Sequence, residues 1–312
     1  MASHGFLFPT RRHFLQATAA ASATGLWVGR AHAGPAVGFA SSNAAIELAG
    51  ETAFLSEVSI AEHLLVAGGK GGKFGLGPFS ASYSISEANA LLDWIMSLPR
   101  KKVAETNGAI VFADHNFDAK RRVEWTEGLI TSVQFPKLSA TDGKKPFMVD
   151  FKWQPSTVSH AGGGGGKVQA QGGKKPTKAI SVSNFRLSGL PAESEFVTAI
   201  GLPLVSVPEA GRKDAKGDIK FGDMTLEFSG RSREAVYKYV QGVLDDGRLT
   251  DDEHRDFGIE LLDSTLNKTL GNISLIGCGL RSYKEAPIEV NKESTAKFTL
   301  TFTVERFDLK LL

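Results

Sequence analysis

Two segments of this chain carry one pattern, and that repetition constrains the fold more than any other feature. Phe147-Met148-Val149-Asp150-Phe151-Lys152-Trp153 and Phe298-Thr299-Leu300-Thr301-Phe302-Thr303-Val304 lie 151 residues apart and place large apolar side chains at alternate positions. Alternation with period two, built from aromatic and branched residues, marks a half-buried strand. Each segment therefore predicts a strand with one face in a core. The other face, Met148, Asp150 and Lys152 or Thr299, Thr301 and Thr303, should be turned away from it. The later segment reads as the last strand of the chain.

The flanking elements recur in the same order. Phe79 to Ile85 and Met224 to Phe228 alternate as strands, and a helical stripe follows each. The first stripe is Leu91, Trp94, Ile95 and Leu98, ended by Pro99; the second is Val236, Tyr239, Val240 and Val243, 145 residues on. Ser84 and Glu87 have the spacing of a capping box and predict where the first helix begins. Ile110 to Asp114 matches Ile259 to Asp263 at a separation of 149, and Leu48-Ala49-Gly50 before Phe54 echoes Leu187-Ser188-Gly189 before Phe196. Further strands are expected at Ala44 to Leu48, Phe54 to Ile60 (with Phe54, Val58 and Ile60 on one side), Val123 to Trp125 and Leu129 to Val133. A slowly growing offset is what one unit, used twice with small loop insertions, leaves behind. The chain of 312 residues is long enough for two such cores. The expected division is a first unit over 34–160, a Gly/Lys-rich linker over 161–178 containing Gly162 to Gly166, and a second unit over 179–312. The fold class is mainly β with one short helix per unit.

The N-terminus reads as an export signal. Thr10-Arg11-Arg12-His13-Phe14-Leu15 resembles the twin-arginine consensus through Arg11, Arg12, Phe14 and Leu15, and an alanine-rich run to Val28 follows. Ala31-His32-Ala33 is an A-x-A cleavage pattern that would leave Gly34 first, making 1–33 a signal peptide. The apolar run is too short and too weak for a stable membrane span. Removing Arg11, Arg12 and Arg30 takes the basic count from 36 to 33 against 34 acidic residues. The formal charge of +2 therefore belongs to the leader, and no nucleic-acid partner is implied. The expected location is the periplasm or the exterior.

Nothing in the remaining sequence predicts chemistry. Cys278 is the one cysteine, which excludes an internal disulfide and a cysteine-rich metal site; between Gly277 and Gly279 it reads as a small buried residue. His63, His115, His160 and His254 show no metal-ligand spacing. In the glycine-rich stretch Gly68 to Gly77, Lys73 is followed by Phe74 where a phosphate loop needs Ser or Thr. The acidic run Asp245 to Glu253 has Arg248 and Leu249 where a calcium loop needs oxygen ligands or a turn glycine. No catalytic, cofactor-binding or metal-ligating residue is expected.

The order of elements resembles the tail-tube protein family of contractile-tailed phages, related in fold to the tubes of type VI secretion and extracellular injection systems. Its carriers here are Phe54 to Ile60 and Phe196 to Leu202, a glycine-rich loop, Phe79 to Ile85 and Met224 to Phe228, and helices bearing Trp94 and Tyr239. Strands ending in Asp114 and Asp263, Trp125 and the final alternating strands complete the set. The resemblance implies two tandem β-sandwich or barrel domains, no enzyme activity, and rings of six units, so that three chains would close one ring of pseudo-sixfold symmetry. Its implied partners are further copies of the chain and other tube or baseplate-like components. The export leader departs from the phage pattern and favours an exported ring or tube. Two other functions fit the sequence: an exported binding module or enzyme of unknown substrate, and a tip or effector protein riding on another tube.

Overall fold

The computed structural model describes residues 43–60, 64–66, 73–86, 88–169, 180–190, 196–207, 219–245, 254–286 and 297–312. Their architecture is mainly β, with antiparallel sheets and two α-helices. In the first half one layer runs β2 (Glu51–Leu55), β1 (Asn43–Leu48), β7 (Thr106–Ala113), β8 (Ala119–Gln134), with β11 (Thr157–Gly162) beyond β8. The other layer runs β3 (Glu57–Ile60), β6 (Phe79–Ser84), β10 (Met148–Gln154) and the second half of β8. A separate hairpin pairs β4 (Leu64–Val66) with β5 (Lys73–Gly75), and β9 (Leu138–Ser139) follows β8. The second half sets β12 (Phe185–Ser188), β17 (Arg255–Leu262), β18 (Thr269–Cys278) and β21 (Arg306–Leu311) in one sheet. A second sheet holds β13 (Val197–Gly201), β16 (Met224–Ser229), β20 (Lys297–Phe302) and β19 (Leu280–Glu285), and β14 (Leu204–Ser206) pairs with β15 (Lys220–Phe221). Helices α1 (Ala90–Ser97) and α2 (Arg233–Asp245) each follow an alternating strand. No helix among the described residues is long and apolar enough to cross a membrane.

The alternation seen in the sequence becomes burial. Phe147, Val149, Phe151 and Trp153 are fully buried, as are Phe298, Leu300 and Phe302, while Asp150, Lys152 and Thr303 are exposed. Between layers, Phe257 of β17 meets Phe302 of β20 edge to face at 5.0 Å, and Trp125 of β8 meets Trp153 of β10 at 5.4 Å. Trp94 of α1 stacks on Trp125 at 6.1 Å, so the first helix closes an aromatic core. Trp125 reaches its place through a notch: an added Cβ at Gly108 or Gly128 would stand 2.4 Å from the indole. The indole N–H donates to the Thr106 carbonyl at 3.0 Å.

Several elements differ from the sequence-based expectation. The first helix starts at Ala90, not at Ser84: Asn89 is its cap, accepting from the Leu92 N–H at 2.9 Å, and Glu51 accepts from the Ala90 N–H at 2.7 Å. Phe54 is exposed while Ala53 and Leu55 are buried, because the chain turns a corner at Ser56 and leaves β1 to pair β3 with β6. The strands expected around Val123 and Leu129 are one, β8, kinked where Glu127 takes φ 47°. The Phe298 strand is not the last; β21 follows it and pairs with β18. Of the glycine run, Gly162 ends β11, Gly163 N–H donates to the Lys120 carbonyl at 3.1 Å, and Gly164 and Gly165 turn at φ near 70°. Residues 170–179 lie outside the described residues.

The two halves share structure. β14 pairs with the second half of β8, β9 pairs with β13, and Phe135 stacks on Phe307 at 4.3 Å. Arg100 donates through Nε to Asp308 at 2.7 Å and through Nη2 to the Leu309 carbonyl at 3.1 Å. One cluster of buried residues runs through both.

Candidate functional site

The described surface carries polar grooves. The larger, about 550 Å³, runs over β1, β7, β8 and β11; its cation, Arg122, is already bound to Glu124 at 2.7 Å and to Glu47 at 2.5 Å. Another of about 520 Å³ is lined by Arg100, Lys101, Lys102, Arg306, Phe307 and Lys310, with Asp308 held by Arg100. Among the described residues no group of three or more His, Cys, Asp or Glu side chains lies together as metal ligands. His254 faces Glu305 at 3.7 Å and His160 lies 3.4 Å from Arg121, in separate places. Cys278 is buried and unpaired, its thiol pushed up to about 12 chiefly by desolvation. The signal-motif residues Arg11, Arg12, Phe14 and Leu15, the cleavage residues Ala31, Ala33 and Gly34, His63 and the acidic run after Asp245, to Glu253, lie outside the described residues.

What the fold does present is backbone hydrogen-bonding capacity at strand edges. In β14, Leu204, Val205 and Ser206 stand opposite Gln134, Val133 and Ser132 of β8, and the Val207 N–H donates to the Thr131 carbonyl at 2.9 Å. β14 also carries β15, with Val205 opposite Phe221 and Ser206 opposite Lys220. The β4–β5 hairpin has the same internal pairing, Leu65 opposite Phe74 and Val66 opposite Lys73, yet among the described residues β4 and β5 pair only with each other. At one edge of the second sheet, among the described residues, β19 pairs only with β20. Unpaired edges of this kind bind further strands.

Several irregular positions of the two halves coincide, although the shift of the β13–β16 ladder between Val197 and Ala199 has no counterpart in β3–β6. The β7–β8 ladder shifts register between Thr106 and Gly108 and between Phe112 and Ala113; the β17–β18 ladder shifts between Arg255 and Phe257 and between Leu261 and Leu262, each 149 residues later. The β10–β8 ladder skips Thr131, and β19–β20 skips Arg281. Asp114 accepts from the N–H groups of Asn116 and Asp118, with Phe117 left-handed at φ 65°; Asp263 accepts from those of Thr265 and Asn267, with Leu266 at φ 61°. Both Phe117 and Leu266 are exposed at hairpin tips, Phe117 edge to face with Phe54 at 5.5 Å. The sequence reading reached the strand-terminal aspartates but missed the hairpin arms. Their signal was Lys73-Phe74 and Lys220-Phe221, each preceded by a short apolar run and a glycine- and lysine-containing loop.

No family model and no curated protein matches the chain. Among solved structures, the anti-feeding prophage cap, described as the AFP tube terminating cap, aligns at 12% identity over 45% of this chain and 95% of its own, with a TM-score of 0.34. Hcp1 from Flavobacterium johnsoniae aligns at 14% identity over 40% of this chain and 98% of its own, with a TM-score of 0.31. A chain of the PVC sheath-tube complex of an extracellular contractile injection system aligns at 13% identity over 43% and 92%, with a TM-score of 0.32.

Proposed function

We propose that this chain is a structural, self-assembling protein of tail-tube type, made of two copies of one unit, that is exported and closes with two further chains into a ring of pseudo-sixfold symmetry, stackable into a tube. The observation that carries this reading is the coincidence of irregularities. Regular strands resemble one another by default, but bulges and left-handed residues are individual features that bend and twist a strand at one place. Two unrelated halves have no reason to put register shifts at Thr106 and Arg255, at Phe112 and Leu261, and at Thr131 and Arg281. On this reading, the pairing of Trp153 with Phe79 and of Phe302 with Met224 supports a correspondence of the two alternating strands at 149 residues, with the same face inward.

Duplication favours a ring because the halves already join side by side in the chain, through β14 on β8 and β9 on β13. A joint between unlike surfaces repeats head to tail and forms a ring where its rotation closes. The role is structural; its partners are further copies and other tube or baseplate-like components. Export to the periplasm or exterior rests on the twin-arginine pattern around Arg11 and Arg12. Native mass spectrometry of the purified protein should give three times the chain mass, and negative-stain images should show six-lobed rings. Monomer alone at high concentration would overturn the proposal.

A further inference from the structure

Among the described residues, the β14–β15 hairpin arm is docked on a sheet and the β4–β5 arm is not, and the outer edge of β8 carries a further strand whereas that of β19 does not. On the duplicated reading, β4–β5 is the counterpart of β14–β15, sharing the Lys-Phe pair and the internal register: Leu65 with Phe74, as Val205 with Phe221. β19 is the counterpart of the second half of β8: Ser282 pairs with Thr301 as Ser132 pairs with Lys152, and both ladders skip the preceding residue. The docked arm belongs to the second unit and lies on the first. The arm without a docking partner among the described residues belongs to the first unit, and the edge without one to the second.

We propose that the β4–β5 arm of one chain docks on the β19 edge of another, reproducing between chains the joint that β14 makes with β8 within one. Transposing that joint sets Leu65 opposite Tyr283 and Val66 opposite Ser282, as Val205 stands opposite Val133 and Ser206 opposite Ser132. The occupant is a second copy of this chain because the internal joint is a working example of the same two surfaces, and added backbone hydrogen bonds are what an open strand edge offers. The contact is head to tail: each chain gives its arm at one end and its edge at the other, so it propagates until it closes.

This inference rests on the ring reading, and cysteine pairing separates the two. Cys278 is buried with its thiol held up to about 12, so it contributes little background at neutral pH. Ser132→Cys with Ser206→Cys, opposite each other in the internal joint, calibrates the oxidation by closing an intrachain disulfide. Under the same copper-catalysed air oxidation, Val66→Cys alone and Ser282→Cys alone should give no crosslinked band. Their mixture should give a single crosslinked dimer, and the double variant a ladder ending at the closed ring. Assembly by mass without a Val66–Ser282 crosslink, or a Ser282→Cys homodimer, overturns the arm-on-edge joint while leaving the ring. Neither assembly nor crosslink overturns both.

Discussion

Asp263 shows how one side chain shapes a turn. Its carboxylate accepts from the Thr265 hydroxyl at 2.7 Å and from the Thr265, Asn267 and Lys268 N–H groups, and these bonds, the Thr265 hydroxyl first, hold it down to about 2 from 3.8 against desolvation. A carboxyl lowered in the folded state adds stability above its unfolded value, and that contribution is lost as pH falls through the folded one. Stability should therefore decline between 3.8 and about 2. Asp263→Asn should flatten that part of the acid limb in denaturant titrations at stepped pH. An unchanged limb would remove Asp263 from the account. Asp114 is shifted the same way, first by the Asp118 N–H, in the matching turn.

At the scale of the element, β20 separates core from surface by parity alone. Phe302 is buried against Phe257, whereas Thr301 is partly exposed opposite Thr225 and Ser282. Phe302→Asp removes an aromatic worth about 3–5 kcal/mol and buries a carboxylate in its place. That variant should be unfolded by circular dichroism. Thr301→Asp should cost only about 1 kcal/mol, the span of strand propensity, and act on assembly. Equal loss of folding in both would refute the assignment of faces. This part of the fold was legible because alternation reports burial directly. The rest hid behind local exceptions. The capping box at Ser84 was outcompeted by Asn89, which also donates to the Tyr83 hydroxyl at 2.7 Å. Phe54 misled because the chain changes sheets at Ser56. The notch at Gly108 and Gly128 depends on a cross-strand approach that neither glycine's neighbours announce. The arms were least legible, since strands of two or three residues carry almost no period.

Across the whole molecule, the halves share strands and one buried cluster, with Phe135 and Phe307 stacked between them. Such sharing makes unfolding a single event. Trp94, Trp125 and Trp153 all lie in the first half, while Tyr237, Tyr239 and Tyr283 lie in the second. Tryptophan fluorescence and far-ultraviolet dichroism should give one coincident midpoint, and Phe135→Ala, which costs about 3–5 kcal/mol of stability, should lower it for both probes together. Separated midpoints would mean that the halves melt independently. The docking of β14 on β8 within one chain also bears on dilution. In the proposed ring every second joint is tethered by the polypeptide at a fixed effective concentration, so it pays no fresh cost of lost translational freedom when chains meet. Dilution would then act on alternate joints alone, and the ring would shed whole pairs of units.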